Sequence, residues 1–215
     1  MTLSLSKYSH PMFIPAYYRN TDLKEIESFI KNYSFATLLT NVNDEPFASH
    51  IPVELGTNKE QLNILSGHLS AANPQAKNLK NGDRALIIFQ GPHTYISSSW
   101  YNHINVPTWN YIAVHVYGKV KILTEPELRS RLEEMVTKYE VVSKKPFQIS
   151  DLPSEMMDKY LKGIIGFDIS MDRVEGKWKM SQNRDAEDHA NIIRELEQLD
   201  DLNARLVADI MKTAK

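Results

Sequence analysis

The residues best suited to holding a ligand are gathered between Phe89 and Val120, in FQGPHTYISSSWYNHINVPTWNYIAVHVYGKV. No Asp, Glu, Lys or Arg occurs between Arg84 and Lys119, although such residues make up 24% of the chain and about eight would be expected over that length. In their place stand Phe89, Tyr95, Trp100, Tyr101, Trp109, Tyr111 and Tyr117, interleaved with Gln90, Ser97, Ser98, Ser99, Asn102, Thr108, Asn110 and His115. Aromatic faces with uncharged donors and acceptors suit a planar, partly polar ligand or a buried subunit interface. A sheet core with a hydrated loop would have the same composition.

Other chemistries find less support. Neither GxGxxG nor GxxxxGK[ST] occurs among eight singly scattered glycines, which removes a Rossmann or P-loop phosphate site. No GxSxG surrounds a serine, so Ser97–Ser99 are hydrogen-bonding groups rather than an activated nucleophile. Seven histidines without HExxH or a close carboxylate pairing make a weak case for a metal, and none is assigned. His50 and His68, in ASH and SGH, are either ligand contacts or satisfied core histidines. Lys177, Lys179 and Arg184 enclose the polar run Ser181-Gln182-Asn183 just before a helix starting near Asp185, where an anionic or polar ligand could be met. An ordinary helix cap reads the same way.

These residues need a scaffold, and the chain supplies strands for it. FATLLT (35–40) and PFASHIPVEL (46–55) flank the turn-rich NVNDE and form an expected hairpin, and QLNILSG (61–67) adds a third strand. A polar helical turn closed by Asn81-Gly82 precedes the apolar ALIIFQ (85–90). TWNYIAVHVYGKVKIL (108–123) alternates, with Trp109, Tyr111, Ala113, His115, Tyr117 and Lys119 on one face and Asn110, Ile112, Val114, Val116, Gly118 and Val120 on the other. IIGFDISMDRVEGKWKM is expected to be a strand pair turning near Glu175-Gly176. Helices are expected over 22–32 and 125–141, each opened by a capping-box pattern (Asp22 with Glu25, Thr124 with Glu127), then around 154–162, and once or twice beyond Arg184. Residues 1–20 read as an irregular arm. The expected fold is mainly β with added helices: an antiparallel barrel of about six strands with helices outside.

Composition sets outer bounds. A chain of 215 residues with 42% hydrophobic content can bury a sizeable core and is expected to be one domain, 1–215, with 185–215 as a C-terminal helical extension. A net charge of −2 does not favour nucleic acid. With no cysteine, disulfides, thiolate catalysis and Cys-ligated metals are excluded. No apolar run is long enough to span a bilayer, and the expected address is cytoplasmic.

The segments FATL, PFASHIPV, SGHLSAANPQ, IIFQGPHTYISSSWY, VPTWNYIAVHVYGK and GKWKMSQNR, in this order over about residues 12–197, resemble the PaiB family of FMN-binding-domain proteins, labelled protease synthase and sporulation negative regulators and also transcriptional regulators. The resemblance implies an FMN-binding split β-barrel of Greek-key type, related to pyridoxamine-phosphate-oxidase-like flavoproteins and forming a homodimer with flavin sites at the subunit interface. It implies phosphate contacts at Ser49, His50 and Ile51, then Ser66, Gly67, His68 and Asn73. It implies ring contacts near Gln90, Tyr95, Ser97 and Trp100, with Trp109, Asn110, Lys179, Ser181 and Gln182 from the other subunit. Where relatives carry an Arg-Lys pair for the phosphate, this chain has Ala72-Asn73-Pro74, and Lys77 is the nearest cation. No residue presents itself as an acid–base catalyst. An FMN-dependent oxidoreductase, a transcriptional (negative) regulator without flavin turnover, and a haem-binding split barrel all stay open, and DNA binding rests on the family label without support from charge.

Overall fold

The structure, a computed structural model, describes residues 12–213. The first half of the expected N-terminal arm lies outside these residues. The strands are β1 (Arg19–Asn20), β2 (Phe35–Val42), β3 (Glu45–Pro52), β4 (Glu54–Thr57), β5 (Asn63–Ser70), β6 (Arg84–Ile96), β7 (Thr108–Ile122), β8 (Ile164–Ser170) and β9 (Arg173–Lys179). The helices are α1 (Leu23–Asn32), α2 (Pro74–Asn78), α3 (Glu125–Glu140), α4 (Ser154–Lys162), α5 (Ala186–Gln198) and α6 (Leu202–Thr213).

The described residues divide into two units. Residues 34–88 and 116–173 make the first, and 12–33, 89–115 and 174–213 the second. The sheet order runs β3-β2-β6-β7-β8-β5-β4, while β9 pairs with β1 and β7. Every strand pair with a defined register is antiparallel. Among the described residues the sheet therefore has nine strands where about six were expected. Part of the excess arises because the run at 46–55 breaks at Val53 into β3 and β4, whose partners are β2 and β5.

In the first unit the β2–β3 hairpin turns through Asn43 and Asp44, both at positive φ (53° and 64°), as a two-residue hairpin loop requires. Leu38, Ile51, Val53, Leu65, Phe167 and Ile169 are buried between its strands. A second apolar cluster of Leu123, Leu128, Ile149, Met157 and Leu161 fixes α3 and α4. The expected turn at Glu175-Gly176 is not there. Those residues lie inside β9, the chain turns at Met171-Asp172, and β8 and β9 take different neighbours, β8 joining β5 and β7 and β9 joining β1 and β7.

The Thr124–Glu127 capping box forms as the sequence predicts. That at Asp22 is only half made, because Asn20 donates to Glu25 and accepts the Asp22 amide in its stead. The Glu127 carboxylate is held near a pKa of about 2, chiefly by the Lys121 ammonium at 2.7 Å and then by the Thr124 amide and hydroxyl. A depressed folded-state pKa gives stability that is present above the unfolded value of 4.5 and lost as pH falls toward about 2. Since the pair is largely exposed, Glu127→Gln is expected to cost about 0.5–1 kcal/mol at neutral pH, and the difference from the parent should vanish below about pH 2 in urea unfolding series.

In the second unit β9 lies between β1 and β7. Trp178 packs on Phe29 of α1, with ring centroids 5.3 Å apart. The faces of α5 and α6 carrying Ile192, Leu196, Ala204, Val207, Ala208 and Met211 are buried.

Candidate functional site

Alternation along the strands decides which sequence-predicted residues can meet. On β3, Ser49 and Ile51 share one face while His50 points outward, where its Nδ1 lies 3.0 Å from the Thr37 hydroxyl. On β5, Gly67 faces Ile51 and Phe167 so closely that a Cβ there would meet them at 3.3 and 3.1 Å. Asn73 caps α2, accepting the Gln75 amide at 2.8 Å, and its Nδ2 donates to the Ser49 hydroxyl at 3.0 Å. Ser49, Ile51, Gly67 and Asn73 thus form one group. Behind it Gln75, fully buried, donates to Leu38 O, Thr40 Oγ1 and Phe47 O and pins α2 onto β2 and β3.

Ser66 and His68 stand on the opposite face of β5. Ser66 donates to Asp168 at 2.5 Å, and Asp168 in turn meets Arg131 of α3 at 3.3 Å. His68 lines a cleft of about 210 Å³ with Gly56, Leu128, Leu132 and Met135, and burial lowers its pKa, favouring the neutral ring. The expectation that His68 joins Asn73 in one contact set is not met in the first unit. The two-residue period of β5 sends it toward α3.

The remaining predicted residues belong to the second unit. Tyr95 and Trp109 are about half exposed and pack edge to face, with centroids 6.3 Å apart, and the His93 ring lies tilted beside Trp109 at 5.6 Å. Gln90 is exposed, and Trp100 ends a 3-10 turn (Ser98–Trp100) whose start Ser97 caps by accepting the Ser99 amide. Asn110 and Ser181, by contrast, are buried and bonded to each other at 3.0 and 3.1 Å, with Met211 Sδ also on Asn110. Gln182 folds back on its own loop, donating to Trp178 O and accepting the Met180 amide. Lys179 donates to the Thr108 hydroxyl and to Trp109 O. These last four side chains are spent within the unit.

The mainly antiparallel sheet with added helices is similar in fold to split-barrel structures of flavin-binding proteins. The FAD and heme binding protein from Mycobacterium smegmatis matches with a TM-score of 0.60 at 17% identity, covering 80% of this chain and 79% of that one. The flavocytochrome Anf3 from Azotobacter vinelandii matches at 0.58 and 14%, covering 82% and 78%. At sequence level the chain is 40% identical over 202 residues to "Protease synthase and sporulation protein PAI 2" of Bacillus subtilis (strain 168), covering 94% of this chain and 97% of that protein. Residues 12–173 match the family model described as "Putative FMN-binding domain", and the chain belongs to that family. No helix among the described residues is long and apolar enough to cross a membrane.

Proposed function

We propose that the protein binds FMN as a homodimer, its phosphate end at the Ser49–Asn73 group and its ring against the aromatic residues of a second copy. The observation carrying this reading is the family match over 12–173, which spans both residue sets and stops short of Lys179, Ser181 and Gln182. The donor set in the first unit fits a phosphate. Ser49 accepts from Asn73 and keeps its own hydroxyl hydrogen for an oxyanion, while His50 stands on the opposite face of β3 with Thr37. The Ser49 hydroxyl carries no charge, so the hold is weaker than an arginine pair would give. When bound, the flavin would supply electron-transfer chemistry, and the chain would supply binding, orientation and exclusion of water.

The dimer rests on exposure. Tyr95 (47%), Trp109 (50%), Ile104 (103%) and Val106 (70%) form the open surface of the charge-free stretch, a face that soluble proteins tend to cover. Sedimentation at micromolar concentration should give a dimer, and a monomer would defeat this part of the reading.

Titration of flavin-free protein with FMN, followed by flavin fluorescence, should saturate below about 100 μM, corresponding to roughly −5.5 kcal/mol. Asn73→Ala should weaken binding by about 1–2 kcal/mol, whereas His68→Ala, on the other face of β5, should leave it unchanged. Absence of saturable quenching up to that concentration would overturn the assignment.

A further inference from the structure

The connection 101–107, which leads into β7, is tied to α5 through one buried carboxylate. Asp188, in the first turn of α5, is fully buried, and its Oδ1 accepts the Asn102 amide at 2.9 Å. Its Oδ2 is equally enclosed, makes no hydrogen bond among the described residues and lies 3.2 Å from His103 Nδ1. A buried carboxylate is ordinarily paired with a donor or a cation. The group standing where that partner would be is an imidazole, whose charge depends on pH.

The other edge of the ring fixes its tautomer. Asn105 Oδ1 accepts the Val106 amide at 2.8 Å, which leaves Asn105 Nδ2, a donor, facing His103 Nε2 at 3.3 Å. Nε2 must therefore accept, and the ring hydrogen sits on Nδ1, with Asn102 Oδ1 at 2.9 Å and Asp188 Oδ2 beside it. This is the arrangement of a neutral His103. A second proton would make Nε2 a donor aimed at a donor, while the buried carboxylate on the Nδ1 side would gain a full positive charge opposite it. The two edges of the ring thus respond in opposite senses. The other groups around it are the Tyr101 ring, 5.9 Å away, and Arg184, which stands 4.8 Å over that same ring. On α5, Asp185 is engaged by the Asp188 amide, and exposed Glu187 and partly buried His189 flank Asp188 in the chain.

We propose that His103 is a proton-operated latch on the 101–107 connection. Neutral, it holds the tip carrying Ile104 and Val106 through Asn105; protonated, it lets the tip go while binding the base of the connection more firmly to Asp188. The latch rests on contacts within the second unit and on no ligand. Its consequence rests on the dimer reading above: Ile104 and Val106 are part of the exposed apolar surface given to a second copy, so protonation weakens the dimer.

The test is nuclear magnetic resonance of the nitrogen-15-labelled full chain at about pH 8 and about pH 5.5, either side of the range in which histidines change charge. At the higher pH the His103 ring is expected in its Nδ1–H tautomer, with backbone order parameters of Asn102, Ile104 and Val106 near about 0.85. At the lower pH those of Ile104 and Val106 should fall below about 0.6, the value of flexible backbone, while Asn102 keeps its own. His103→Gln, which has no proton to gain, should remove the difference between the two pH values, and Asn105→Ala should show the released tip at both. Neither change touches a fully buried side chain. Equal order at both pH values in the parent, a step that survives in His103→Gln, an Nε2–H tautomer at the higher pH, or loss of order at Asn102 together with the tip would each overturn the latch. Sedimentation under the same two conditions separates it from the dimer reading. A dimer weaker at the lower pH in the parent and not in His103→Gln is expected; a monomer throughout, with the step in order parameters present, would defeat the dimer and uphold the latch; an equally tight dimer at both values would overturn the link between them.

Discussion

Gly118→Ala is expected to destabilise the protein by more than about 4 kcal/mol, placing it in the small class of substitutions that can prevent folding. Gly118 is buried on the aliphatic face of β7. A Cβ there would overlap the backbone carbonyl oxygen of Ser170 and come within 2.8 Å of Ile169 Cγ2. A side chain in the way could rotate, but a carbonyl cannot leave without its strand. The approach is close because the end of β8 is tied to β7 by three contacts. Val120 pairs with Ile169, the Lys119 amide donates to Ser170 Oγ at 2.9 Å, and the Asp172 amide donates to Tyr117 O at 3.0 Å. Gly82→Ala is the matched control. Gly82 has φ +88° but nothing within 4 Å of an added Cβ, so only backbone strain is incurred, about 1 kcal/mol. Urea unfolding of the two variants should separate them by at least about 3 kcal/mol; equal midpoints would show that β8 shifts freely.

That contact illustrates what was and was not legible in the chain. The alternation of 108–123 matches the burial along β7, with Ala113 of the other face buried as well, because a strand's two faces are written at period two in its own sequence. The Asn43-Asp44 turn and the Thr124–Glu127 cap were readable for the same local reason. Pairing partners are not local. The segment 164–180 looks like a hairpin until one knows that β7 accepts both of its strands, and Gly118 carries no mark of the Ser170 carbonyl beyond being a glycine in a strand. The candidate site divides along the same line. Ser49 and Asn73 came together as neighbours, whereas Trp109, which the resemblance assigned to the other subunit, packs on Tyr95 of its own chain. Asn110, Ser181 and Gln182 were picked as polar residues near aromatics, a pattern a buried structural network shares with a ligand site. Counting residues from Ser66 to His68 was enough to place both on one face of β5, but only the packing of α3 shows which face that is.

Asp168, which no motif singled out, should carry the second large effect. It is 6% exposed on β8, accepts the Ser66 hydroxyl at 2.5 Å and faces Arg131 at 3.3 Å, so one carboxylate joins β5, β8 and α3. Burial alone would lower the Arg131 pKa, but Asp168 and then Glu134 outweigh it and the net shift is upward. Asp168→Ala leaves Ser66 without its acceptor and Arg131 with only Glu134 at 3.2 Å and the Thr57 carbonyl at 3.4 Å. The expected cost is about 2–4 kcal/mol, at the lower part of the range for breaking a buried pair because the Arg131 side chain is 23% exposed. Asp168→Asn keeps an acceptor for Ser66 and should recover about 1 kcal/mol of that loss. The decisive measurement is a double-mutant cycle with Arg131→Met in urea. A coupling of about 1–2 kcal/mol would assign the effect to the ion pair joining α3 to the sheet. Additive losses would instead place it in the Ser66 hydrogen bond and leave α3 held by Leu128 and its apolar neighbours alone.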